Sequence, residues 1–300
     1  MKGQSMFRIP IFATLAFMIS SLPLQAQEIV YATDFDDLSL GFTENPPAPG
    51  QDGWTAIFHP GNSFGEIQNV VANGGNAIHQ FTDITNTNAQ QSIDSRFYDP
   101  VNVSSAVELI FDIDFNAQSS DLTTQNSYGA SAGIFGDGQL FSFSVGSGNG
   151  PVREDVGVSV GISTFNGTDN NIPLNISVGQ NLAWGEWHNV QLTANLQTLE
   201  WISISVNGAS QSLNGVDLPR NFNAGNPFTP TFIDEVLLQV VNIENFGDET
   251  SDSIFFDNLS LAVTTVPEPS SFAVVGLFGF VACLSRRRKL RPAIHAELAE

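Results

Sequence analysis

Between residues 28 and 265 apolar side chains recur at every second position, the period of strands with one buried and one wet face. Val156, Val158, Val160 and Ile162 alternate with Gly157, Ser159, Gly161 and Ser163. Leu109, Phe111, Ile113 and Phe115 alternate with Ile110, Asp112 and Asp114, and Phe141, Phe143 and Val145 with serines and Gly146. Turn-forming clusters separate such runs: Asn73-Gly74-Gly75, Gly146 to Gly150, and Asn166 to Asn170. No long amphipathic helical pattern and no internal repeat interrupts them. The pattern predicts about a dozen strands in one all-β domain, folded as two stacked sheets. The chain's 24 phenylalanines supply bulk for a core between sheets about 10 Å apart.

The two ends read differently. Lys2 and Arg8 precede an apolar run from Ile9 to Ile19, and Leu24-Gln25-Ala26 supplies small or apolar residues for signal peptidase. This predicts a signal helix over residues 1–26, cut after Ala26. At the other end Val266-Pro267-Glu268-Pro269 precedes an apolar stretch, Ser270 to Ser285, and then Arg286-Arg287-Arg288-Lys289. As a helix that stretch reaches about 24 Å, short of a roughly 30 Å hydrocarbon core. The basic cluster holds the C-terminus in the cytoplasm, while the signal peptide sends the body out, so the two topologies agree. The expected divisions are a signal peptide over 1–26, a β-sandwich over 28–265, a sorting segment with a short transmembrane helix over 266–289, and a cytoplasmic tail over 290–300.

Charge narrows the partners. The chain has 31 acidic residues, of which Glu268, Glu297 and Glu300 lie in the C-terminal tail. Its ten lysines and arginines lie mostly in the two ends, leaving Arg96, Arg153 and Arg220 in the body and no lysine there. A body so acidic repels nucleic acid, anionic lipid and acidic polysaccharide unless a divalent cation intervenes. The single cysteine, Cys283, lies in the C-terminal apolar stretch, so the body forms no disulfide.

The Val-Pro-Glu-Pro motif, short helix and arginine cluster occur in the order and spacing of the PEP-CTERM sorting signal of Gram-negative bacteria, which they resemble. The residues carrying the likeness are Val266, Pro267, Glu268, Pro269, Arg286, Arg287 and Arg288. The resemblance implies export, an exosortase-type processing enzyme as partner, at least transient residence in the inner membrane, and an association with extracellular polysaccharide. The tail from Leu290 to Glu300 is longer than that pattern has. Within the body, Gly185 to Val190 leads into a strand whose hairpin partner is Trp201 to Val206, closed by Asn207-Gly208. Asp34 to Leu38 and Phe255 to Leu259 read as first and last strands. These segments resemble the concanavalin-like, or laminin-G-like, jelly roll, in which the first and last strands pair.

Candidate chemistry is sparse. Glu108, Asp112 and Asp114 share a strand face, but that strand lacks the Glu-x-Asp-x-x-Glu of the glucanases built on this scaffold, and Asn116 stands where a carboxylate would help. Solubilising charge accounts for them better than hydrolysis. Asp257 keeps the parity of Phe255, Leu259, Leu261 and Val263, so strict alternation points it into the core. A buried carboxylate needs a cation, backbone amides or a proton, and the scarcity of arginine makes calcium, with Asp34 and Asp36 as further ligands, one expectation. An outward bulge at Asp257 is the competing one. Trp201 is out of phase with Ile202, Ile204 and Val206, which makes it a candidate exposed plate for a sugar ring, against the commoner role of packing partner. His188 lies on an apolar face and reads as a satisfied core residue; His59 and His79 are scattered. No His-x-x-x-His, Cys-x-x-Cys or phosphate-loop pattern occurs in the body.

The expectation is therefore an exported, non-catalytic protein of the cell surface or exopolysaccharide matrix, associated with carbohydrate. A glycan hydrolase or lyase on the same scaffold, and a protein-binding adhesin, are the alternatives.

Overall fold

The computed structural model describes residues 26–42, 51–58, 63–82, 91–122, 127–136, 139–147, 157–164, 172–175, 177–179, 181–218, 231–243 and 251–265. Contacts divide the chain into two compact units, Gln27–Thr264 and the two ends, Met1–Ala26 with Thr265–Glu300. The predicted signal and transmembrane helices lie outside the described residues, among which no helix is long and apolar enough to cross a membrane.

Sixteen strands, numbered along the chain, are found among the described residues of the first unit. They are β1 (Ala26–Thr33), β2 (Gly41–Phe42), β3 (Trp54–Phe58), β4 (Phe64–Gln68), β5 (Ala77–Thr82), β6 (Gln91–Asn102), β7 (Ala106–Ser119) and β8 (Ser127–Gly136). There follow β9 (Gln139–Ser147), β10 (Ser159–Thr164), β11 (Ile172–Asn175), β12 (Trp187–Asn195), β13 (Glu200–Val206), β14 (Ala209–Asp217), β15 (Phe232–Ile243) and β16 (Asp252–Thr265). Two single turns of 3-10 helix, Gln51–Gly53 and Ser177–Gly179, are the only helical residues described.

The strands form two antiparallel sheets. One runs β14-β13-β12-β7-β16-β5-β4-β2, with β1 also on β16; the other runs β11-β10-β9-β8-β15-β6-β3. The expected all-β, two-sheet architecture is therefore present. The expected alternations appear as buried rows: Leu109, Phe111, Ile113 and Phe115 on β7, Val158, Val160 and Ile162 at β10, and Phe143 with Val145 on β9 all join one core. Ile233, Val236, Leu238 and Val240 of β15, in the same sheet as β9 and β10, join that core opposite the β7 row. Asn207 and Gly208, with φ of 50° and 79°, close the β13–β14 hairpin with two left-handed residues, the type I′ geometry that matches strand twist.

β16 is a central strand of the larger sheet. Its contacts with β7 run Ser120–Ser251, Asp114–Asn258 and Glu108–Thr264, so the two strands are antiparallel along their whole length. On its other edge β5 covers only Asp252 to Phe256, and β1 takes the remainder. The first and last strands thus pair as expected, but the first is Ala26–Thr33 rather than Asp34 to Leu38. The latter residues make the turn that follows: Phe35, at φ 61°, swings into the core against Trp54, and the Leu38 N–H donates to the Phe35 carbonyl at 3.0 Å.

A buried polar bridge joins the sheets. Asp94 of β6 accepts from the Gln80 side-chain amide of β5, and the Ser92 hydroxyl donates to Gln80 Oε1 at 2.7 Å. Gly65 makes room for it, because a Cβ there would lie 1.7 Å from the Asp94 carboxylate.

Strict alternation fails at two places that bear on the predicted site residues, for one reason. The register between β13 and β14 shifts between Trp201 and Ser203, so Trp201 falls in phase with Ile204 and Val206 by a three-residue step and is 2% exposed in the core. The irregularity adds a residue to one strand and reverses the parity beyond it. Trp201 is therefore a core residue and no exposed sugar plate. Trp201→Ala is expected to lower unfolding free energy by about 3–5 kcal/mol in urea denaturation, as for large buried aromatics; a change under about 1 kcal/mol would contradict this placement.

Candidate functional site

The second parity reversal builds the outer face of the larger sheet. Asn258 has φ 49°, and the core positions of β16 step from Ile254 and Phe256 to Leu259, Leu261 and Val263. One extra residue at this point leaves Phe255 and Asp257 on the outward side. Asp257 is nevertheless only 2% exposed, because the β4–β5 loop folds over it. Its Oδ2 accepts the Asn73 N–H at 3.1 Å and its Oδ1 the Asn258 N–H at 2.7 Å.

The same loop is held from two other directions. Asp36, in the turn after β1, accepts the Asn76 N–H at 2.6 Å, and a Cβ on Gly75 would lie 1.6 Å from its carboxylate, so only glycine fits there. Asp114 Oδ2 accepts the side-chain amides of Asn73 at 2.7 Å and Asn258 at 2.9 Å. Its Oδ1 accepts Asn189 Nδ2, which also donates to Asp112, itself bonded by Gln191 Nε2. Among the described residues, neutral amides serve these carboxylates in place of cationic side chains. Arg96, the one Lys or Arg among the described residues, is engaged elsewhere, 3.4 Å from Asp52 and 5.3 Å above the Tyr31 ring.

Burial pushes the Asp257 carboxyl up to about 6, opposed by its two backbone N–H donors and reinforced by the charges of Asp114 and Asp36. Of the residues expected to hold calcium, Asp257 and Asp36 do converge on the loop. Asp34 instead accepts the Asp36 N–H within its own turn, at 3.2 Å. Amide hydrogens point at oxygens a cation would need, and among the described residues no group of three or more His, Cys, Asp or Glu is disposed to hold a metal ion. The arrangement satisfies Asp257 with backbone amides, one of the partner classes its burial calls for.

Next to this clasp lies a different array. The registers of β2, β4, β5 and β16 set Phe42, Glu66, His79 and Phe255 in one row and Phe64, Phe81 and Ser253 in the next. His79 Nδ1 lies 3.1 Å from Glu66 Oε1, and Nε2 lies 3.0 Å from Ser253 Oγ. The imidazole stacks on Phe255 at 4.3 Å and meets Phe64 and Phe81 edge-on at 5.4 and 5.9 Å. Phe42, 56% exposed, borders the array at the sheet edge. Sequence reading left His79 as scattered and did not single out Glu66 or Ser253. Their outward parity was readable from Ile67, Ile78 and Ile254 beside them, but not which strands are neighbours.

His188 is a satisfied core residue: Nε2–H donates to the Ala183 carbonyl at 2.9 Å and Nδ1 accepts from Asn207 Nδ2 at 3.1 Å. Asn116 is buried and donates to the Gly185 carbonyl at 2.9 Å. His59 and the sorting residues Val266, Pro267, Glu268, Pro269, Arg286, Arg287 and Arg288 lie outside the described residues.

At the C-terminus, residues 265–289 match the PEP-CTERM protein-sorting motif. The chain carries a PEP-CTERM motif. The motif implies an exported protein handled by an exosortase, a processing enzyme, and its match begins where β16 ends, at Thr265. No curated protein matches the chain in sequence. Among solved structures, the alginate lyase Aly36B is 12% identical over 80% of this chain and 97% of the lyase, with a TM-score of 0.48. The GH131 β-glucanase catalytic domain from Podospora anserina is 10% identical over 78% and 95%, at 0.47. Lectin II from Ulex europaeus is 10% identical over 79% and 100%, at 0.42. These values are too low to transfer an activity.

The raised Asp257 carboxyl makes a signed prediction. Its folded-state value exceeds the ordinary 3.8, so its contribution to stability is full below pH 3.8 and is lost as pH rises through about 6. Melting temperature is expected to fall across that window, less steeply in Asp257→Asn; Glu235, also raised by burial, leaves a residual slope of the same sign. Chelator is expected to leave the melt unchanged, and a drop reversed by added calcium would restore the cation.

Proposed function

We propose that this chain is a cell-surface or extracellular-matrix protein, processed through its C-terminal motif and associated with polysaccharide by its sandwich, a concanavalin-like jelly roll. The observation that carries the reading is the sorting motif placed directly after a completed β-domain. The chain's repeated crossing between the two sheets supports the jelly-roll assignment. The inner membrane is a transient station on this route.

The role of the sandwich is structural or adhesive rather than glycosidic or lytic. Asp112 and Asp114, the pair nearest to a glycosidase arrangement, are tied by Asn73, Asn189, Gln191 and Asn258 into a hydrogen-bonded lattice that leaves neither positioned as a free acid. Uncharged polysaccharide suits so acidic a surface better than an anionic one.

Replacing Pro267, Glu268 and Pro269 by alanine is expected to trap the unprocessed chain in the inner membrane, read by fractionation and immunoblot. A body found in the cytosol would overturn the proposal. On a glycan array the exported protein should retain uncharged polysaccharides and pass over acidic ones in the absence of divalent cations; an array with no hits would favour a protein partner.

A further inference from the structure

We propose that Glu66, His79 and Ser253 form a nucleophilic relay that cleaves esters of uncharged alcohols, such as acylated sugar hydroxyls. The argument begins with hydrogen-bond roles. An ionised Glu66 accepts only, so the His79 nitrogen 3.1 Å away must carry the proton. Neutral His79 then has a bare Nε2, and the Ser253 hydroxyl 3.0 Å from it donates. This is the order carboxylate, imidazole, hydroxyl, in which the base accepts the nucleophile's proton and the carboxylate fixes the tautomer.

Three strands hold the members. Glu66 on β4 lies directly across from His79 on β5, and Ser253 on β16 lies diagonally from it. The imidazole cannot rotate freely, being stacked on Phe255 and edged by Phe64 and Phe81. Those rings also lower the local polarity around the charge that forms on the histidine, which strengthens its attraction to Glu66. Glu66, Ser253, Phe64 and Phe81 are all half-buried, so each keeps some exposure on the outer face. A negatively charged substrate would meet Glu66 and an acidic surface, which points to an uncharged ester.

In the reaction Ser253 Oγ bonds to the ester carbonyl carbon while its proton passes to His79 Nε2. The ester C–O bond breaks, and the departing alkoxide takes that proton to leave as an alcohol. Water then attacks the acyl-serine, giving its proton through His79 to Oγ and releasing the carboxylic acid. The relay supplies proton transfer, worth about 10²–10⁴ in rate, so slow turnover is expected and covalent labelling is the sharper readout.

The test is incubation of the full chain, purified in mild detergent, with an uncharged alkyl fluorophosphonate, followed by peptide mass spectrometry and, in parallel, 4-nitrophenyl acetate hydrolysis. The phosphonyl adduct is expected on Ser253, and Ser253→Ala should abolish it together with the hydrolysis above background. His79→Asn should slow labelling by about 100-fold or more and Glu66→Gln by about 10-fold. If His79→Asn does not fold, Glu66→Gln, at a half-buried site, carries the same comparison. Folded wild-type protein with no adduct on Ser253 would overturn the proposal, as would labelling whose rate is indifferent to Glu66→Gln and His79→Asn; either result leaves the three residues a structural hydrogen-bonded line.

Discussion

The fold depends on one strand serving two partners along a single edge. β16 is backed along its length by β7, but opposite it β5 ends at Phe256's level and β1 continues. A strand with perfectly regular pleat keeps one set of side chains inward throughout, whichever neighbour it has. β16 does not. The left-handed Asn258 inserts one residue, and the inward set changes from Ile254 and Phe256 to Leu259, Leu261 and Val263. The insertion places Phe255 and Asp257 outward together, so both the aromatic array and the carboxylate clasp follow from it.

The clasp shows how an acidic body with almost no basic side chains satisfies its carboxylates. Asn73, Asn76, Asn189, Gln191 and Asn258 donate N–H groups to Asp36, Asp112, Asp114 and Asp257, and Gln80 does the same for Asp94 between the sheets. An amide satisfies an acceptor without cancelling its charge. The lattice is therefore closed in hydrogen bonds while the surface stays strongly negative, which favours solubility outside the cell and discourages polyanionic partners. Desolvation remains, and the upward shift of Asp257 records it.

The outer face then divides by chemistry. Where β12, β7 and β16 lie side by side, amides and aspartates interlock and leave little to react. Where β16, β5 and β4 lie side by side, a histidine stands between a carboxylate and a hydroxyl among phenyl rings. The difference arises from which residues the registers bring opposite one another.

Much of the architecture was legible because burial on one face imposes a period of two: the rows Leu109 to Phe115 and Val158 to Ile162 appear in the sequence as they do in the core. The hairpin at Asn207-Gly208 was legible because only residues tolerant of positive φ make that turn. The address was legible for a different reason, since sorting motifs are read as linear segments and residues 265–289 carry one. Trp201 and Asp257 stayed open between two placements because a single inserted residue reverses parity, and nothing local announces it. The grouping of Glu66 and His79 with Ser253, 174 positions beyond His79, was beyond any local reading. Periodicity fixes which side of its own strand a residue takes; strand neighbours and their register are set by how two whole sheets fill a common core, and that only the tertiary structure decided.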